Sequence, residues 1–213
     1  MEIGKKSNRM ARKILLLLLS QVIISCTESK TSSRRNQTPK VHEEDVRQEA
    51  IFTPDSTIHG VLKLHNRTSL DEFYGETERL KLVDSLREAY VLPFCNRNGS
   101  QYLFGYQYEG NEKLSFSVFE IGYVKKDMEV CEARVDVENF STESGIKLGM
   151  PLEELLELKG KEYEFRSDSL IIYKIDDYSG SEFLQKYNMP AYFLECSMNA
   201  SRVSKIKLGF EYP

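Results

Sequence analysis

The chain has 213 residues, 40% apolar and 11% aromatic, with no tryptophan and a formal charge of −4. That length and apolar share are enough to bury a core in one domain or two small ones. The acidic balance excludes a nucleic-acid binder, which would carry a basic face, and offers no electrostatic reason to dock on anionic lipid.

The first element is an export signal. Lys5, Lys6, Arg9, Arg12 and Lys13 precede an apolar stretch from Ile14 to Ile24, interrupted by Ser20 and Gln21. A membrane-spanning helix needs about 20 apolar residues, so this run is too short to cross. A basic region followed by a short apolar one is the pattern of a secretory signal. Where a small-residue cleavage site is expected, the chain has Ile23-Ile24-Ser25-Cys26. This stretch resembles the lipobox of bacterial lipoproteins. The resemblance implies cleavage between Ser25 and Cys26, a diacylglycerol on the Cys26 thiol and a second acylation on the new amino group. Two acyl chains give stable anchoring where one does not. Residues 1–25 are thus read as a signal peptide and Cys26 as the membrane attachment. The implied location is the cell envelope, on the periplasmic side of the outer membrane. The first 25 residues carry five basic side chains and one acidic, a net +4, which leaves −8 on the mature chain.

Residues 26–50 form the lipidated cysteine and a tether. The stretch after Cys26 is polar, rich in Ser and Thr, and lacks hydrophobic periodicity. About 24 such residues span roughly 27 Å root-mean-square and about 80 Å when extended, so the folded part can stand off the membrane.

From residue 51 the chain reads as mostly β. An extended stretch near Tyr90–Phe94 leads through Asn96–Gly99 into Tyr102–Tyr108, which alternates strictly and places Tyr102, Phe104, Tyr106 and Tyr108 on one face. Glu109–Glu112 turns, Leu114–Tyr123 returns, and Glu129–Val137 supplies a third strand of an antiparallel meander. Then the period changes. Gly145–Gly160 contains a helix, with Pro151 suited to the first helical position and Gly160 to the stop. Leu152, Leu155 and Leu156 share a face of it. Extended segments follow near Tyr163–Phe165 and Leu170–Ile175, then a short helix in Ser181–Tyr187. A hairpin of Ala191–Met198 and Arg202–Phe210 closes the chain.

Gly60–Gly75 and Gly145–Gly160 run alike: glycine, aliphatic strand, turn, leucine with two acids, glycine. In the first, Ser69 and Glu72 have capping-box spacing, and Leu70, Phe73 and Tyr74 repeat the spacing of Leu152, Leu155 and Leu156. The expected fold is therefore α+β, an antiparallel sheet with short helices on one side, built as two tandem helix-plus-sheet units, 51–140 and 141–213. Gly149-Met150 followed by Leu152–Gly160 resembles the turn and helix of outer-membrane assembly lipoproteins of the SmpA/OmlA type. The tandem arrangement is similar to that of β-lactamase inhibitor proteins. Pro151 and Lys159 depart from the first pattern. Both resemblances imply a binding protein, by analogy of fold alone.

Little in the chain suggests catalysis. His42, His59 and His65 have no companion at metal-ligand spacing, and no catalytic or phosphate-binding motif occurs. No metal, cofactor or catalytic residue is assigned, and the protein is read as a non-enzyme. With Cys26 lipidated, Cys95, Cys131 and Cys196 can form at most one disulfide, whose pair the sequence does not choose. Asp176-Asp177 before Tyr178-Ser-Gly180 reads as a solvated turn. The aromatic row at 102, 104, 106 and 108 is either a core face or a surface that grips a partner protein. Its opposite face, Leu103, Gly105 and Gln107, is less apolar, so the aromatic side is expected to be the buried one. The functional expectation is a lipid-anchored envelope protein that binds or scaffolds a protein partner. The alternatives are an envelope hydrolase or carbohydrate-processing enzyme, and a structural or stress-related lipoprotein without a stable partner.

Overall fold

The computed structural model describes residues 52–84, 89–126, 131, 133–167 and 169–211. Chain contacts divide the protein into Met1–Asp45 and Val46–Pro213, and every described residue belongs to the second unit. The residues read as signal peptide and tether, Ser25 and Cys26 among them, lie outside the described residues. Among the described residues, no helix is long and apolar enough to cross a membrane.

A two-residue pair, β1 (Thr57–Ile58) with β2 (Leu62–Lys63), opens the fold. Helix α1 (Thr68–Tyr74) follows. Asn66, not the Ser69–Glu72 box, supplies the side chain at its start: Asn66 Oδ1 accepts from the Ser69 amide at 2.9 Å. Ser69 sits inside the helix, where its hydroxyl accepts from Lys63 N and donates to the Asn66 carbonyl. A 3-10 turn (Thr77–Arg79) leads to β3 (Val83–Asp84), β4 (Ala89–Cys95), β5 (Gln101–Tyr108) and β6 (Val118–Tyr123). The returning strand thus begins four residues later than its alternation suggests. Leu114 takes a left-handed φ of 62°, and its amide is bonded to Gln107 Oε1 instead of a neighbouring strand.

Of the third strand expected over Glu129–Val137, the described residues form β7 (Ala133–Arg134), which pairs with β4 in parallel and not as part of an antiparallel meander; residues 127–130 and 132 lie outside the described residues. Helix α2 (Leu152–Lys159) starts after Pro151 and stops at Gly160, φ 82°. Then come β8 (Glu164–Ser167), β9 (Leu170–Ile175), α3 (Glu182–Tyr187), β10 (Tyr192–Asn199) and β11 (Arg202–Phe210). Ser181 Oγ accepts from the Leu184 amide and caps α3. Ala200 and Ser201 both adopt positive φ, the conformation that matches a two-residue hairpin turn to strand twist.

Among the described residues, nine strands form one sheet in the order β3-β4-β5-β6-β11-β10-β9-β8, with β7 beside β4, and every neighbouring pair along that order is antiparallel. Leu70 of α1, Leu155 of α2 and Leu184 of α3 join one apolar cluster with Phe94, Leu103, Ile121, Tyr173, Leu194 and Leu208. These sheet residues all project to the same side, so the helices cover one face of the sheet. The mixed α+β class with a largely antiparallel sheet is as expected. Cys95 and Cys131 form the disulfide, and Cys196 is a buried free thiol.

Candidate functional site

Strand β5 decides which face of the sheet is free. Leu103 is wholly buried in the core cluster, and Gln107 is buried on the same side. Gly105 faces inward too, where a Cβ would come within 2.8 Å of the Phe116 ring. The expected burial is thereby reversed. A small residue at 105 admits a large aromatic from elsewhere, and Gln107 turns its amide oxygen to a backbone N–H. The aromatic row therefore lies on the face that none of the described helices covers. There Tyr102 is buried, and Phe104, Tyr106 and Tyr108 are half-buried.

The register extends this row across the sheet. Val83, Val91, Tyr106, Val118, Gly209 and Phe193 stand opposite one another on six successive strands. The next row is Pro93, Phe104, Glu120, Lys207 and Glu195. Tyr102 and Phe104 stack with centroids 4.3 Å apart. Tyr102 lies across Gly122, where any side chain would collide with its ring. Glu120 accepts from the hydroxyl of Tyr102 at 2.9 Å and of Tyr106 at 3.4 Å. Burial, then the Glu120 carboxylate, raises the Tyr102 pKa, so that hydroxyl keeps its proton. The Lys207 ammonium lies 5.5 Å from the Tyr106 ring centroid and 5.9 Å from that of Phe193. The surface is thus an aromatic platform with Lys207, Glu120 and Glu195 set into it, flanked on the same face by Lys205 opposite Gly122 and Lys174 opposite Phe193. Such a mixture suits a polar-rimmed protein interface.

Two polar clusters sit on the helix side. In the first, Asn111 Nδ2 donates to Ser117 Oγ at 2.6 Å, and Ser117 Oγ and His65 Nε2 share a hydrogen bond at 2.8 Å. Burial lowers the pKa of His65 and keeps the ring neutral. A serine hydroxyl bonded to a neutral imidazole has the form of a nucleophile and base. Ser117, however, has no exposed surface, and His65 packs against the edges of Tyr187 and Phe210. No substrate reaches this hydroxyl, and the pair acts as a latch between the loop before α1 and the centre of the sheet. His59 is half-buried beside Phe140, and its pKa is likewise lowered by burial.

The second cluster is Asp55 with Lys159. Their ion pair measures 2.9 Å, with both side chains 2% exposed. Lys159 Nζ also donates to the Thr53 carbonyl at 2.7 Å. Asp55 Oδ1 accepts from the Ser144 amide at 3.1 Å and Oδ2 from the Ser144 hydroxyl at 2.8 Å. Tyr192 donates to the Asp55 carbonyl, and the Phe52 ring stacks on Tyr173 beside the lysine. Sequence reading missed this pair. The signal was there: Lys159 follows Leu152 and Leu155 at the spacing of the apolar face of α2, an odd place for a lysine.

Among the described residues, no group of three or more His, Cys, Asp or Glu is placed to hold a metal. Burial pushes the Cys196 thiol up to about 12, so it is not reactive. Asp177 Oδ1 accepts from the Ser179 amide, the Ser179 hydroxyl and the Gly180 amide, an ordinary exposed turn. No family model, curated protein or solved structure matches this chain.

Proposed function

We propose that this protein is anchored in the bacterial envelope by acyl chains on Cys26, at the periplasmic side of the outer membrane. There it binds a protein partner through the helix-free face of its sheet. One observation carries the binding reading: among the described residues, helices cover only one face, while Phe104, Tyr106, Tyr108 and Phe193 stay half-exposed on the other around Glu120 and Lys207. Aromatic anchors held rigid by stacking and hydrogen bonds lose little entropy on binding. Crosslinking in intact cells followed by mass spectrometry should recover a reproducible protein partner, and a chain with Phe104→Ala and Tyr106→Ala should lose it. Recovery of no reproducible partner would sink the reading. The anchor is tested separately: Cys26→Ser should be neither acylated nor cut, and a variant still cleaved and acylated overturns it.

The face is also proposed to come from a duplicated unit. The strand order supports this, because β3-β4-β5-β6 and β8-β9-β10-β11 run outward to inward from opposite edges and meet at β6 and β11. Each set follows a helix that stops at a glycine of positive φ, Gly75 or Gly160. An antiparallel bridge, Ile58 to Thr142, links the segments before the helices. Helix α3 has no counterpart, since residues 96–100 alone join β4 to β5. Superposition of the two halves should yield one rotation that matches the four strands together; strands that match only singly would refute duplication.

A further inference from the structure

The fully buried charged side chains among the described residues are Asp55 and Lys159, and they touch each other. A buried ion pair is a costly way to fill a core. Desolvating two charges takes back most of their attraction, and a well-packed apolar pair often does as well or better. We propose that this pair is the site of a covalent modification: a side-chain amide between Asp55 and Lys159, formed within the folded chain with loss of one water.

The hydrogen bonds around the pair fit the product as well as the reactants. In the amide one N–H remains on Lys159 Nζ, and the Thr53 carbonyl stands 2.7 Å away to accept it. One oxygen remains on Asp55. Oδ1, held by the Ser144 amide, is placed to be that oxygen. The other, Oδ2, is the one that leaves. It faces Nζ at 2.9 Å and receives the Ser144 hydroxyl at 2.8 Å, a donor that stabilises it as it departs. The product carries no charge, so the desolvation cost of the pair disappears.

The step balances without any outside reagent. An ammonium proton passes along the 2.9 Å contact to Oδ2, leaving a neutral amine and a carboxylic acid. The Nζ lone pair attacks Asp55 Cγ, and the C–N bond forms. A second proton moves from nitrogen to the same Oδ2, the C–O bond breaks and water departs. One N–H stays on the amide. No atom is oxidised or reduced. The aromatic wall of Phe52, Tyr173 and Tyr192 keeps bulk water from the site and so opposes the reverse hydrolysis.

The consequence is mechanical. Asp55 lies in the first described segment of the fold and Lys159 at the end of α2, so the link closes a loop over much of the chain. It would restrict the unfolded state as a long-range disulfide does. It would also lock the end of the domain that follows the proposed tether.

Peptide mapping of the full chain tests the bond. The protein, isolated from the cells that make it, is reduced, alkylated, denatured and digested with trypsin. The expected result is a branched peptide joining the Asp55 and Lys159 segments, lighter than their sum by one water, with no cut after Lys159. Lys159→Arg, which keeps the charge but not the amine, should give the segments unlinked. Unlinked wild-type segments at full mass would overturn the proposal. So would a water lost from the Asp55 segment alone, which marks a cyclic imide. The masses are read on the unfolded wild-type chain and do not depend on whether the variant folds.

Discussion

The two faces of β5 carry nearly opposite chemistry for their positions. The inner face holds Leu103, Gly105 and Gln107, and the outer holds Tyr102, Phe104, Tyr106 and Tyr108. By composition alone the outer set is the better core. Yet Leu103 is wholly buried under the helices, and three of the four aromatics stay half-exposed. The difference teaches that side-chain hydrophobicity on one strand does not choose the buried face. What the neighbouring elements bring to that face chooses it. Here Phe116 fills the space over Gly105, and the three helices contribute Leu70, Leu155 and Leu184.

The largest test of that contrast is inside. Leu103→Ala should lower stability by about 2–5 kcal/mol, because a wholly buried leucine leaves a cavity in a sheet that cannot close over it. Urea unfolding followed by far-ultraviolet circular dichroism measures it. A loss below about 1 kcal/mol would mean that the inner face is not the main core.

Acid should also act on the helix side. His59 and His65 both have pKa values lowered by burial. As pH falls, the unfolded chain takes up protons first, near its ordinary value of about 6.5. Stability is therefore full above that pH and is lost as pH falls through the lower folded values. The urea midpoint should be level from about pH 8 to 7 and decline below about 6.5, before the carboxylates titrate. A midpoint unchanged down to about pH 5 would show that neither ring is held neutral by its packing.

The smallest effect on stability belongs outside. Phe104→Ala should cost only about 1 kcal/mol, since the ring is half-buried and much of its surface already meets water. Its effect on partner capture should be large by comparison. Should Phe104→Ala destabilise the fold as much as Leu103→Ala, the outer row would be core and not an interface.

Much of the fold was legible in the sequence. Strict alternation located β5, and the change to helical spacing between Pro151 and Gly160 located α2 to within a residue. The hairpin of β10 and β11 was plain from two long extended runs around a three-residue break. Other features misled. Alternation in Leu114–Ser117 continues that of β6, but the Gln107 side chain captures the Leu114 amide and delays the strand. Ser69 and Glu72 have capping spacing, but Asn66 reaches the helix start first. The candidate surface was half legible: its four residues on β5 were named, but Val91, Val118, Phe193 and Lys207 reach it only through strand order.

The sequence by itself determined the short-range properties. These are the periodicity of the long elements and the glycine that stops α2. Each depends on residues within a turn or two of one another. Tertiary structure decided the rest. It paired Cys95 with Cys131, set β6 beside β11, chose the outer face of β5 and brought Asp55 to Lys159. Those outcomes depend on which distant side chains compete for the same volume and the same hydrogen bonds, and that competition exists only once the chain has closed on itself.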